Sequence, residues 1–231
     1  MQDTHNTPAN DTREHNHIAK AAYLSAQDAV RNEHWHEAAE ILQSLTHKFI
    51  HINTNATQQQ NIACNSTCTS EYCRDIARLL AEALYLNGQH QDSLTSIENA
   101  RRLGWLDAHD PCAATLHGWI LLRRGQARPA RDLAKLHLRK SARTLDKIDL
   151  AQQARTLHLL GMCEHRLGKP RPARQALYDA AAIFRLSGDD VGASEALNAL
   201  GIVEKNTVSL TAASIHLEEA LRLFTTQARP G

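Results

Sequence analysis

The chain has 231 residues, 26 Lys and Arg against 25 Asp and Glu, and a formal charge of +1 with His neutral. That length buries a real core as one large or two small domains, while so even a charge balance argues against non-specific binding to nucleic acid or anionic lipid. Aromatics make up only 4% and Ala and Leu dominate, a composition suited to helices packed closely on one another.

Residues 1–16 are polar, contain Pro8 and show no periodicity, so a disordered N-terminal tail is expected, with no apolar core for a secretory signal. Helical spacing starts at His17 and runs to about Phe49, through Ile18, Ala22, Ala26 and Ala29, then Trp35, Ala38, Ala39, Leu42 and Leu45. Residues 17–50 are read as a first, divergent helical hairpin. Residues 51–70, rich in Asn, Thr and Gln, break the pattern and are read as a polar inserted loop. From Glu71 onward, helical segments are separated by the short turns NGQH, GWLDAHDP, RGQARP, LGKPRP and LSGDD. Strand-type alternation and hairpin-turn signals are absent. No apolar run is long enough to span a bilayer, and the five Cys are expected to be reduced thiols, so the expected compartment is the cytoplasm.

Helix punctuation agrees with these breaks. Asp110 precedes Pro111, a capping carboxylate before a proline whose missing N–H costs nothing at the first helical position. Gly188 is suited to ending one helix, with Asp189 or Asp190 capping the next. Between the turns, a small residue is followed by another small residue twelve positions later: Ala81 and Ser93, Gly118 and Ala130, Gly161 and Ala173, Gly201 and Ala213. Ala26 and Ala38 fit more weakly. Successive pairs are 37, 43 and 40 residues apart, after a jump of 55 across the polar insert. The physical reading is a helical hairpin, with small side chains where two helices cross at about 8–10 Å. Each hairpin leaves an apolar flank for the next one to cover, so the units stack.

On these positions the chain resembles the tetratricopeptide repeat (TPR) family, in a variety with a repeat of about forty residues. Leu160-Gly161 with Ala173 and Leu200-Gly201 with Ala213 match the pattern best. The family's Trp is replaced by Ala77, Ala114, Leu157 and Leu197, and the aromatic after Leu-Gly by Leu84, Leu121, Glu164 and Glu204. The resemblance implies an all-α, right-handed α-α superhelix (a solenoid) of about five helical hairpins, four of them stacked over residues 71–228.

The resemblance also implies a partner-binding groove lined by the first helix of each hairpin. Carried over, its positions are Arg78 and Glu82; Thr115, Trp119 and Arg123; Arg155, His158, Met162, His165 and Arg166; then Glu195, Asn198, Ile202 and Lys205. This surface holds more positive than negative groups around an apolar centre at Trp119, Met162 and Ile202. The expected occupant is a protein or peptide segment, amphipathic and acidic. The family's Lys/Asn clamp for a C-terminal carboxylate is not repeated at these positions.

Other features have plainer readings. Cys64, Cys68 and Cys73 lack the paired spacing and fourth ligand of a structural zinc site, so no metal or cofactor is expected. His34 and His36 flank Trp35 on a turn and read as exposed. The basic run RRGQARPARDLAKLHLRK lacks aromatics and a nucleic-acid-reading module, and reads as a solvated flank. No phosphate loop, nucleophile elbow or HExxH appears, so no catalytic set is expected. The expected function is a protein–protein interaction scaffold; the alternative is a TPR sensor arm of a bacterial transcription regulator or signalling protein. The apolar segment Ile215–Phe224 near the end of the sequence has no polar helix behind it. Such a face is what a homo-oligomer contact, or a longer parent chain, would use.

Overall fold

The computed structural model describes residues 8–58, 67–107, 110–141, 150–205 and 210–227, with side chains for 20–47, 73–107, 110–140, 150–205 and 210–226. Among the described residues there are ten helices and no strand: α1 (Pro8–Arg31), α2 (Trp35–Gln58), α3 (Thr67–Leu86), α4 (His90–Arg102), α5 (Pro111–Arg123), α6 (Ala127–Ser141), α7 (Leu150–Arg166), α8 (Pro170–Leu186), α9 (Asp190–Lys205) and α10 (Leu210–Gln227). They pair in sequence into five hairpins.

The helices depart from the sequence reading at three places. Residues 8–16, expected as disordered tail, belong to α1, whose first residue Pro8 loses no hydrogen bond at that position. Of the expected loop at 51–70, residues 51–58 belong to α2, which runs on to Gln58, and residues 67–70 to α3, which starts at Thr67, while 59–66 lie outside the described residues. Asn and Thr are weak helix breakers, and a helix already formed carries them at small cost. The chain also divides into two compact units, 1–108 and 109–231, so the hairpin α3–α4 groups with α1–α2 and not with the three that follow.

In the first unit, Ala26, Ala38, Leu42, Ile76, Leu80 and Leu84 from α1, α2 and α3 form one buried cluster. In the second, Leu122, Ala130, Leu159 and Cys163 form one cluster, Leu177, Leu200 and Val203 another, and Phe184, Ala196, Leu197 and Ala220 a third. Each fully buried Leu or Phe contributes about 1.5–3 kcal/mol by leaving water.

Two devices shape the hairpins. The first is the turn. Gly125 and Gly168 take φ of 78° and 71°, and the next residue's N–H reaches back to a carbonyl five positions earlier (Gln126 to Leu121, 2.9 Å; Lys169 to Glu164, 2.9 Å). This closes the helix C-terminus and reverses the chain. Asp110 caps α5 by accepting from the Ala113 N–H at 2.9 Å, and Asp189 caps α9 by accepting from the Gly192 N–H at 2.8 Å.

The second is close approach. A methyl group on Gly161 would lie 2.5 Å from Leu177 Cγ and 3.1 Å from the Ala173 carbonyl; one on Gly201 would lie 2.6 Å from Leu217 Cγ and 3.3 Å from the Ala213 carbonyl. Ser93 Oγ donates to the Ala81 carbonyl at 2.6 Å. These pairs sit where the two helices of a hairpin meet. Gly118 differs: Leu159 of α7 fills the space beside it, so this glycine serves contact between successive hairpins, while Ala130 is buried in α6.

Candidate interaction face

The first helices of the three hairpins in the second unit are α5, α7 and α9. Offsets of 43 and 40 residues make their positions equivalent, in rows Cys112–Arg155–Glu195, Thr115–His158–Asn198 and Trp119–Met162–Ile202, followed by Arg123 and Arg166. Steps of three and four along each helix keep these rows on one face.

The rows differ in what they offer a partner. Trp119 and His158 meet edge to face, with ring centroids 5.1 Å apart. Burial pushes the His158 imidazolium down to a pKa of about 4, so the ring is neutral near pH 7 and adds shape rather than charge. Met162 packs on the clusters of both α7 and α9, and Ile202 is exposed at 43%. Trp119, Met162 and Ile202 thus make an apolar row with one side in the core and one outside. Arg123, Arg166, Asn198 and Lys205 are exposed and His165 is half-buried. Arg155 and Glu195 are exposed neighbours across α7 and α9. Partial desolvation and Asp189 raise the Glu195 carboxyl above its usual range, with Arg155 opposing.

Thr115 is not part of the accessible face. It is buried in a polar network joining α5 to α7: Gln152 Nε2 donates to Thr115 Oγ1 at 2.8 Å and to the Pro111 carbonyl at 3.0 Å, and the hydroxyls of Thr115 and Thr156 lie 3.1 Å apart. A buried amide needs such partners, and together they fix the register of one hairpin on the next. Arg78, half-buried with Asp75 3.9 Å away, and the exposed Glu82 belong to the first unit.

Two carboxylates play a part that their sequence positions alone do not reveal. Glu164 and Glu204 stand three residues after Gly161 and Gly201, and both are buried. Glu164 Oε1 lies 2.8 Å from Lys135 Nζ of α6; Glu204 Oε1 lies 3.7 Å from Arg174 Nε of α8, and its Oε2 3.4 Å from His216 Nε2 of α10. Where the TPR pattern has an aromatic, these hairpins pair a carboxylate with a cation of the preceding hairpin. The signal was the repetition of Glu at an offset of 40 residues.

The first unit contains a cleft of about 430 Å³ between α2 and α4 over α3, with Ala77, Leu80, Leu84 and Trp105 as its floor and Gln43, Thr46, Asp92 and Asn99 on its walls. Cys73 is buried, whereas the side chains of Cys64 and Cys68 lie outside the described residues; among those described, no group of three metal-ligating side chains occurs. His34 and His36 are exposed, 3.5 Å and 3.4 Å from Glu37 and Glu40. No described helix is long and apolar enough to cross a membrane. On α10, Ile215, Leu221 and Phe224 are exposed at 58%, 64% and 44%.

No family model matches the chain. No curated protein matches it by sequence. Solved structures do resemble it. The nearly identical TPR-like repeats of a Podosopora anserina protein align with a TM-score of 0.54 at 17% identity, over 94% of this chain and 100% of that one. A MamA chain (41-end) from Desulfovibrio magneticus RS-1 aligns with a TM-score of 0.51 at 17% identity, over 91% and 97%. A double mutant of MamA RS-1 gives 0.51 at 18%, over 90% and 96%. The chain is an all-α protein with the fold of the TPR-like helical repeats.

Proposed function

We propose that the protein is an interaction scaffold that holds a partner segment across α5, α7 and α9. The observation that supports this reading is the apolar row Trp119–Met162–Ile202, flanked on the same helix faces by Arg123 and Arg166. Trp offers large apolar surface at small entropic cost, and the flexible Met adapts to varied side chains. The arginines offer paired donors to carboxylates. The segment that fits is amphipathic, with apolar residues over the row and acidic residues toward Arg123 and Arg166. With His158 neutral and Thr115 engaged internally, recognition falls to the apolar row and the outer charges.

The test is a photo-cross-linking side chain at Asn198, compared with one at the exposed Glu98 of α4. Adducts with one partner at Asn198 only, lost on Ile202→Asp, are the expected result. Equal labelling at both positions, or adducts indifferent to Ile202→Asp, would dismiss the face.

A further inference from the structure

Aligned on Gly125 and Gly168, the turns of the third and fourth hairpins repeat one motif. Residues 123–131 read RRGQARPAR and residues 166–174 read RLGKPRPAR, a shared R-x-G-x-x-R-P-A-R. Most shared positions have a structural task. The glycines take the left-handed turn conformation. Pro129 and Pro172 lie in the first turn of α6 and α8, where an N–H has no helical partner to lose. Ala130 and Ala173 are fully buried at 0%. Arg174 faces Glu204, and its equivalent Arg131 binds Asp132 at 2.7 Å.

Arg128, Arg166 and Arg171 have no such task. Arg123, Arg128, Arg166 and Arg171 are all exposed, and among the described residues no carboxylate pairs with Arg128, Arg166 or Arg171. Arg128 and Arg171 are the second residues of their helices, where the helix dipole disfavours a cation, and neither helix has an acid in its first turn. The placement therefore works against helix stability. Closing a hairpin does not require it either, since the turn Asn87-Gly88-Gln89-His90 of the second hairpin has no arginine.

We propose that these two turns form a docking edge for an acidic segment of a partner protein, whose carboxylates pair with the guanidinium groups of Arg128 and Arg171 and then of Arg123 and Arg166. Planar guanidinium groups bind carboxylates in a forked geometry that lysine does not offer. Arg123 and Arg166 follow Trp119 and Met162 by four residues on the same helix faces, so the edge continues the interaction face, and the assignment to a protein partner rests on that reading. Neither turn carries an aromatic for a base to stack on, and the one large apolar residue, Leu167, is half-buried and so not placed to enter lipid.

The experiment uses the full chain and three labelled probes: decaglutamate, the same peptide with two Glu replaced by Leu, and a short random DNA duplex. Arg128→Gln with Arg171→Gln is expected to weaken both peptides roughly three- to tenfold, to reduce their salt dependence, and to leave the thermal midpoint unchanged or slightly raised. Ile202→Asp is expected to weaken only the Leu-containing peptide. Decaglutamate that fails to bind at low salt, or that binds the double-arginine variant as tightly as the natural chain, overturns the edge. A duplex that binds more tightly than either peptide and is lost in the same variant overturns the choice of a protein partner. If Ile202→Asp has no effect while the arginine variant does, the apolar face fails and the edge stands.

Discussion

Lys135 Nζ lies 2.8 Å from Glu164 Oε1, an ion pair that ties α6 to α7 across the boundary between two hairpins. The two ends differ in exposure: the Glu164 side chain is 3% accessible and that of Lys135 45%. Its other oxygen, Oε2, is buried and accepts no hydrogen bond. Removing the cation leaves a desolvated carboxylate without its partner, whereas removing both charges leaves only a packing problem. Lys135→Ala is therefore expected to lower stability by about 1–3 kcal/mol in urea unfolding, the solvated lysine keeping the cost below that of a fully buried pair. Lys135→Met with Glu164→Leu is expected to recover most of that loss. A double variant as unstable as the sum of its single variants would show that the pair does not act as a pair.

His158 makes stability depend on pH. Its folded pKa is about 4 against an ordinary 6.5, so the unfolded chain takes up a proton that the folded chain refuses. The stabilising difference is whole above the unfolded value and is lost as pH falls from about 6.5 toward 4, by roughly 3 kcal/mol for this one group. His158→Gln is expected to flatten the stability profile over that window when unfolding is followed at several pH values. An identical slope in the variant would assign the pH dependence to other groups.

Glu33 occupies, at φ 62°, the turn position that Gly88, Gly125 and Gly168 fill in later hairpins. Its N–H and that of His34 close α1 as theirs close α3, α5 and α7. A side chain in this left-handed region costs about 1 kcal/mol or more, partly offset by the entropy glycine gains when unfolded. Glu33→Gly is thus expected to raise stability by about 0.5–1 kcal/mol. A lower thermal midpoint would contradict that account of the turn.

Local chemistry was the legible part of the sequence. Asp110 before Pro111, Asp189 after Gly188 and the twelve-residue spacing of Gly161 and Ala173 can be read because each device lies within one turn or one hairpin. The extent of α1 and α2 was less legible, because Pro8 and the Asn-rich stretch after Phe49 are weak signals that a growing helix overrides. The division at residue 108 depends on which apolar flanks meet, and no nearby residue reports that. The same holds for Thr115, which resembles a groove residue until Gln152, 37 positions later, is seen to claim it. The burial that keeps His158 neutral is likewise set by neighbours distant in the sequence.

The close approach of Gly161 to Leu177 is the contact on which the tight crossing of α7 and α8, the hairpin at the centre of the interaction face, most directly depends. A double-mutant cycle of Gly161→Ala and Leu177→Ala, read by urea unfolding, measures it. Steric conflict predicts that Leu177→Ala costs at least about 1 kcal/mol less in the Gly161→Ala background than alone, because the shortened side chain vacates the space the new methyl needs. Costs that add to within about 0.5 kcal/mol would mean that the two residues do not meet at a tight helix crossing, contrary to the account given of this fold.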